Sequence, residues 1–314
     1  MYGVNGKKFQ RQYKNSISDF KSWEQKPHAE DWILYPENIS EQLSLDEVAL
    51  SDGELYTVLT SKKAKGRKGS IIAIIKGTKS DTVIEYLFKI SRKLRKQVKE
   101  ITLDMAGSMK LIAKRVFPNA VQVIDRFHVQ KLATEALQDI RIHHRWEAID
   151  HENNLLTKAK QNQQTAEIEV FENGDTRKQL LARSRYLLYK SRENWTITQK
   201  QRAEILFSQY PDLEKAHHLT DGLRKIYNQK IIKSVAMLKL AHWFKEVEES
   251  EFKSFSIVLK TFMYHYNDIL NYFDQRSTNA SAESFNAKIK NFRMQLRGVK
   301  DKTFFLFRLS KIFA

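Results

Sequence analysis

The stretch EQLSLDEVALSDGELYTVLTSKKAKGRKGSIIAIIK, residues 41–76, decides the fold. In its first part Ser44, Asp46, Val48 and Leu50 fall on one side of an extended strand, and Leu43 and Leu45 on the other, because side chains alternate across a strand. Ser51-Asp52-Gly53 marks a turn, and Leu55 to Thr60 reads as a second strand. Lys62 to Gly69 is a basic, hairpin-like connection, and Ser70 to Lys76 (SIIAIIK) is apolar enough to be a central strand. Three strands joined by short turns predict an antiparallel meander.

Downstream, Val83, Leu87, Ile90 and Leu94 make the apolar stripe of a helix over Asp81 to Val98, by the spacing of one helical face. Glu100 to Asp104 (EITLD) reads as a strand, Gly107-Ser108 as a turn, Met109 to Val116 as a short helix and Ala120 to Asp125 (AVQVID) as another strand. A long helix starts near His128, with Val129, Leu132, Ala133, Ala136, Leu137 and Ile140 at helical spacing. A meander followed by alternating helix and strand predicts a mixed α/β sheet with helices packed on it. This is the element order of an RNase H-like core.

From Arg141 to Arg276 no strand run stands out, and His151 to Arg177 is polar and rich in Asn and Gln. Thr198-Gln199-Lys200-Gln201 has capping-box spacing, and Pro211-Asp212 suits the opening of a helix. Val235 to Phe244 and Phe252 to Phe273 carry apolar and aromatic residues at helical spacing. The segment reads as a large all-α insertion. Upstream of Glu41, Trp23 and Trp32 sit among charges, and Pro27 and Pro36 interrupt any long element. The expected organisation is an N-terminal arm (1–40), a first part of the core (41–140), the helical insertion (141–276) and a C-terminal helical part of the core (277–314).

The 314 residues carry a net charge of +17 and are 41% hydrophobic. A chain of this size buries a real core, and the cationic excess favours a polyanion, nucleic acid above all. There is no cysteine, which excludes disulfides, thiolate zinc sites and a Cys nucleophile. No apolar run approaches a membrane span, and the polar, basic first residues do not resemble a signal peptide. A cytoplasmic location is expected.

Three carboxylates suit phosphodiester chemistry. Asp46 lies inside the first strand of the meander and Asp104 ends the fourth strand, which is the first strand's neighbour in the proposed core. Glu283 lies on the last helical segment, where Phe285, Ile289, Phe292 and Leu296 form the core face. Glu283, Asn286, Lys290 and Arg297 cluster opposite, with Arg293 at the edge, at about 100° per residue. Two Mg²⁺ ions can activate an attacking oxygen and stabilise a leaving one, and Mg²⁺ prefers carboxylate oxygens; Mn²⁺ is expected to substitute. Read singly, each carboxylate is as well explained as a turn former, helix cap or surface ion-pair partner. Asp125-Arg126-Phe127-His128 adds a supporting pair, Asp125 and His128, across a strand-to-helix junction. From local features alone Asp125 reads better as a helix cap and His128 as a residue packed in the first turn. His143-His144 and His217-His218 read as solvent-facing.

LDMAGSMKLIAKRVFPNAVQVIDRFHVQKLATEAL (Leu103–Leu137) and STNASAESFNAKIKNFRMQLRG (Ser277–Gly298) resemble bacterial insertion-sequence transposases of the DDE type, the ISL-three group. Asp46, within LSLDEVAL, fits that family's first catalytic Asp, Asp104 the second, and the second motif the segment around its Glu. The resemblance implies metal-dependent cleavage at the ends of a mobile element and strand transfer into target DNA. It implies DNA as partner, an oligomer assembled on DNA in the bacterial nucleoid, and phosphate contacts from Asn286, Lys288, Lys290, Arg293 and Arg297. Longer relatives carry an N-terminal zinc module and helix-turn-helix, so a separately encoded recognition protein is expected. A nuclease without strand transfer, or an inactive DNA-binding relic, are the alternative readings.

Overall fold

The computed structural model describes residues 5–51, 53–296 and 298–314. It divides into two compact units, residues 1–125 with 275–314, and residues 126–274.

The first unit is built on a six-stranded mixed sheet. Its strands are β1 (Trp32–Leu34), β2 (Gln42–Ser51), β3 (Glu54–Ser61), β4 (Ile71–Lys76), β5 (Glu100–Leu103) and β6 (Val121–Ile124). Their order is β1-β4-β3-β2-β5-β6. Strands β2, β3 and β4 form the expected antiparallel meander. β5 joins β2 in parallel, and β6 joins β5 in parallel. The meander's first strand and the EITLD strand are therefore neighbours.

The alternation read in β2 sorts residues to two faces. Leu43, Leu45, Ile101, Leu103 and Ile124 are buried, and the Gly107–Val116 helix packs against β5 and β6. Val48 and Leu50 enter a cluster with Phe285, Ile289, Phe305, Leu306 and Leu309. Those residues belong to the two C-terminal helices, Ala280–Gln295 and Lys302–Phe313. Phe292 and Leu296 pack on the same cluster, so the core face expected for the Glu283 helix is the observed one.

Two expectations for this unit are corrected. The N-terminal segment is no mere lead-in: Trp32–Leu34 adds an edge strand to β4, and Phe20 packs in a cluster with Phe304 and Phe307. The helix expected over Asp81–Val98 is two, Ser80–Leu87 and Arg92–Lys96. Ser91 supplies the break by capping the second, its hydroxyl accepting from the Leu94 amide at 3.4 Å. A Ser hydroxyl competes with helical continuation in this way.

The second unit is helical throughout, apart from an isolated bridge between Val170 and Thr176 among its described residues. Its spine is the Arg126–Gln161 helix, against which Arg177–Arg183, Pro211–Asn228 and Lys253–Tyr264 pack. Trp243, buried on Lys233–Ser250, donates its indole N–H to the Leu219 carbonyl at 2.8 Å. Pro211 opens its helix as expected. The capping box lies two residues upstream of the expected one, with Thr196 as cap and Gln199 as its partner. The histidine expectation is also corrected. His217 is fully buried, its Nε2 at 2.9 Å from the Lys190 carbonyl, because it lies on the core face of an amphipathic helix. His144 pairs with Asp212 at 2.6 Å, while His143 is exposed.

Candidate active site

The parallel register fixes where the aspartates stand. Ser44 lies beside Thr102, and Leu103 beside Ile124. Continued by two residues along β2 and β5, and by one along β5 and β6, the same register sets Asp46, Asp104 and Asp125 in one row. Neighbours in a parallel register point to the same face. Asp104 and Asp125 come immediately after the last residues of their strands.

Each aspartate has a different setting. Both oxygens of Asp46 are engaged: Oδ1 accepts from the Glu47 amide at 2.8 Å, and Oδ2 from the Asn286 side-chain amide at 2.7 Å. Asp104 Oδ1 accepts from the Ala106 amide at 2.8 Å, an Asx-type turn at the entrance of the Gly107–Val116 helix. That end of a helix stabilises negative charge. Asp125 is 1% exposed.

The Asn286 bond is one rung of a longer attachment. Along the same face of β2 and β5, Gln42 Nε2 donates to Gln275 Oε1 at 3.0 Å, and Ser277 Oγ to Glu100 Oε1 at 2.5 Å. Ser44 Oγ donates to Asn279 Oδ1 at 2.7 Å in a buried contact. The chain from Gln275 to Asn286 is thus tied to the sheet by four side-chain hydrogen bonds that climb β2 and β5 toward the aspartates. Lys62 completes the layer: its ammonium lies 3.0 Å from Glu100 and also bonds Thr102. Burial pulls the Lys62 pKa down, opposed by the charges of Glu100 and Asp125.

Glu283 is exposed in the first turn of the Ala280–Gln295 helix, three residues before Asn286. Residues three apart are neighbours on a helix surface, so Glu283 and the Asp46 ligand Asn286 share a face. Among the described residues, no three His, Cys, Asp or Glu side chains form a ready metal cage.

Glu47 went unnoticed in the sequence. Its carboxyl is pushed above the ordinary value, first by burial, then by the charges of Asp104 and Asp46. The signal for the polar layer was present as alternation, Gln42-x-Ser44-x-Asp46 and Glu100-x-Thr102-x-Asp104. Nothing in the sequence said that Gln275, Ser277 and Asn279 would meet it.

The basic candidates divide. Lys288 donates to the Gly66 carbonyl at 2.7 Å, and Arg293 to the Leu50 carbonyl at 3.1 Å. Both therefore dock their helix on the sheet unit. Lys290 is exposed, and Arg297 lies outside the described residues. His128 lies in the first turn of the second unit's long helix, partly buried beside the ring of Phe127.

Residues 43–309 match the model of the ISL3-group DDE family, described as Transposase. The chain belongs to this transposase family. Asp46, Asp104, Asp125, His128 and Glu283 all fall within the matched span. The transposase for insertion sequence element IS1001 of Bordetella parapertussis is 22% identical over 276 residues, covering 87% of this chain and 61% of that protein. The chain therefore spans about three fifths of the relative's length. No solved structure matches. Among the described residues no helix of this transposase-family chain is long and apolar enough to cross a membrane.

Proposed function

We propose that the first unit is an RNase H-like catalytic core, interrupted by the helical second unit, and that it cleaves DNA and transfers strands at the ends of an insertion sequence. The observation that carries the reading is the alignment of Asp46 with Asp104, together with the Asn286 bond that ties Asp46 to the helix bearing Glu283. The strand order, a meander extended by two parallel strands, supports the fold.

The donor set fits Mg²⁺, or Mn²⁺ in its place. Asp46, Asp104 and Glu283 are hard oxygen donors, and Glu47 beside them has its carboxyl raised first by burial and then by the charges of Asp104 and Asp46. Mg²⁺ is usually held by one or two carboxylates with water and substrate phosphates rather than by an all-protein cage. When bound, a metal pair supplies activation of the attacking oxygen and charge stabilisation of the leaving one. Asn286 and the Glu47 amide hold Asp46 in one orientation, and the turn at Ala106 does the same for Asp104. Asp125 and His128 are the supporting pair. DNA is the substrate, and the exposed Lys290 would meet a phosphate. An oligomer on DNA and a separately encoded recognition protein remain part of this reading.

The test is incubation of the full chain with Mg²⁺ and DNA carrying the element's ends, with the upstream-encoded protein if there is one, against Asp104→Ala checked for folding. Metal-dependent cleavage and joining lost in the variant are expected. Cleavage without joining would leave a nuclease, and binding without chemistry a DNA-binding relic.

A further inference from the structure

The positive charge is unevenly shared. The residues of the first unit hold fourteen of the seventeen excess positive charges, although the second unit is nearly as large. An exposed basic cluster outside the α-helices is the connection between β3 and β4, where Lys63, Lys65, Arg67 and Lys68 all face solvent. None of these four side chains has a hydrogen bond or ion pair among the described residues. Elsewhere in the same unit exposed lysines do find carboxylates, as Lys99 does with Glu41 and Lys311 with Asp19. Four like charges in six residues repel one another, so the loop is held open by its frame rather than by its side chains.

That frame is extensive. The amides of Lys65 and Arg67 donate to the carbonyls of Lys62 and Ala64 at 3.1 and 3.0 Å, and Ser70 N–H reaches the Phe313 carbonyl at 2.8 Å. Lys65 and Gly66 both adopt left-handed backbone, at φ 51° and 71°. A non-glycine residue holds that conformation only where its surroundings fix it. Gly66 is buried, and its carbonyl is the acceptor for Lys288. Lys288 lies five residues beyond Glu283 on the same helix, about 7.5 Å along the axis. A loop of fixed shape, carrying unneutralised cations, is therefore fastened to the helix that bears the candidate catalytic Glu.

We infer that the β3–β4 loop is a phosphate-backbone clamp for the DNA strand lying at the active site, with Lys63, Lys65 and Arg67 as its contacts. The inference rests on the proposed function and extends it to a binding surface. Lys68 is excluded because it borders a cavity lined also by Asp19, Glu24 and Glu37. The occupant is nucleic acid because the loop offers charge without an apolar face. Ordering a preformed loop also costs little entropy on binding. Contacts of this kind position DNA without reading its sequence.

The test is the salt dependence of binding to a fluorescent duplex oligonucleotide of arbitrary sequence, using the full chain. For duplex DNA the slope of log affinity on log salt is about −0.9 per neutralised phosphate. The variant K63A/K65A/R67A should have a slope shallower by about 2.7 if all three contacts are made. The charge-keeping variant K63R/K65R/R67K should retain the parent slope. R145A/K158A/K160A, which removes the same charge from exposed positions of the helical unit, should change it by less than one contact. Melting curves of all variants check folding. A loop variant indistinguishable from the helical-unit control overturns the clamp and leaves the proposed function standing. A parent chain with no salt-dependent DNA affinity overturns both.

Discussion

The side-chain amide of Asn286 donates to Asp46 Oδ2 at 2.7 Å, across 240 residues of sequence. This bond joins the meander's first strand to the helix that carries Glu283, and it leaves the opposite oxygen of Asp46 to the Glu47 amide. If Asp46 holds metal as proposed, Asn286→Ala should therefore loosen that carboxylate rather than remove it. Groups that orient metal ligands typically contribute about 10–100-fold to affinity or activity. The Mg²⁺ concentration for half-maximal DNA cleavage should rise by at least about tenfold, with Asn286→Gln recovering less than the parent. An unchanged Mg²⁺ requirement would remove Asn286 from the site.

Ser44 and Asn279 form a buried pair in which the Asn279 Nδ2 has no partner among the described residues. Ser44→Ala leaves a second buried polar atom unsatisfied, which costs about 1–3 kcal/mol. Urea unfolding of Ser44→Ala, Asn279→Ala and the double variant should show coupling of about 0.5–3 kcal/mol. Strict additivity would mean that the bond does not hold the segment before Glu283.

Among the described residues Lys62 is the only cation placed on Glu100, and both side chains are largely buried. Lys62→Met strands that carboxylate and also removes positive charge from the neighbourhood of Asp125. Breaking one partner of a buried pair costs about 3–5 kcal/mol, measurable as a drop in the urea midpoint. Lys62→Met with Glu100→Gln should recover much of the loss. A single variant as stable as the parent would show the pair to be solvated.

The raised Glu47 carboxyl gives a pH dependence of defined sign. Between its ordinary value of 4.5 and its raised folded value, the folded state holds more proton than the unfolded one. Stability from this group therefore falls as pH rises through that window. Glu47→Gln should raise Tm at pH 7.5, and the difference should shrink toward zero below pH of about 4.5, where both states of the parent are protonated. Divalent cation should narrow the gap at pH 7.5 by offsetting the repulsion in the parent. A variant less stable than the parent at pH 7.5 would mean that Glu47 makes a favourable contact outweighing its repulsion by Asp104 and Asp46.

Much of the core was legible locally. Period-two alternation placed Asp46 on the face shared with Val48 and Leu50, and helical spacing placed Phe285, Ile289, Phe292 and Leu296 toward the core. Ser91 was less legible, since a cap inside a basic helical stretch is outweighed by the apolar period around it. His217 was missed for a related reason. A polar residue on an apolar face is read as exposed until its partner, here the Lys190 carbonyl, is known.

By itself the sequence determined the strands from β2 to β6, most of the helices, the order that makes the sheet mixed, and which carboxylates to test. These depend on residue periodicity and type, which are properties of neighbours in the chain. Only the tertiary structure decided the register that pairs Ser44 with Thr102 and Leu103 with Ile124, that Gln275 to Asn286 is fastened rung by rung to β2 and β5, and that Lys288 and Arg293 hold carbonyls of their own chain. Strand register and long-range hydrogen bonds are chosen by the packing of the whole sheet, and no local window of sequence contains both partners.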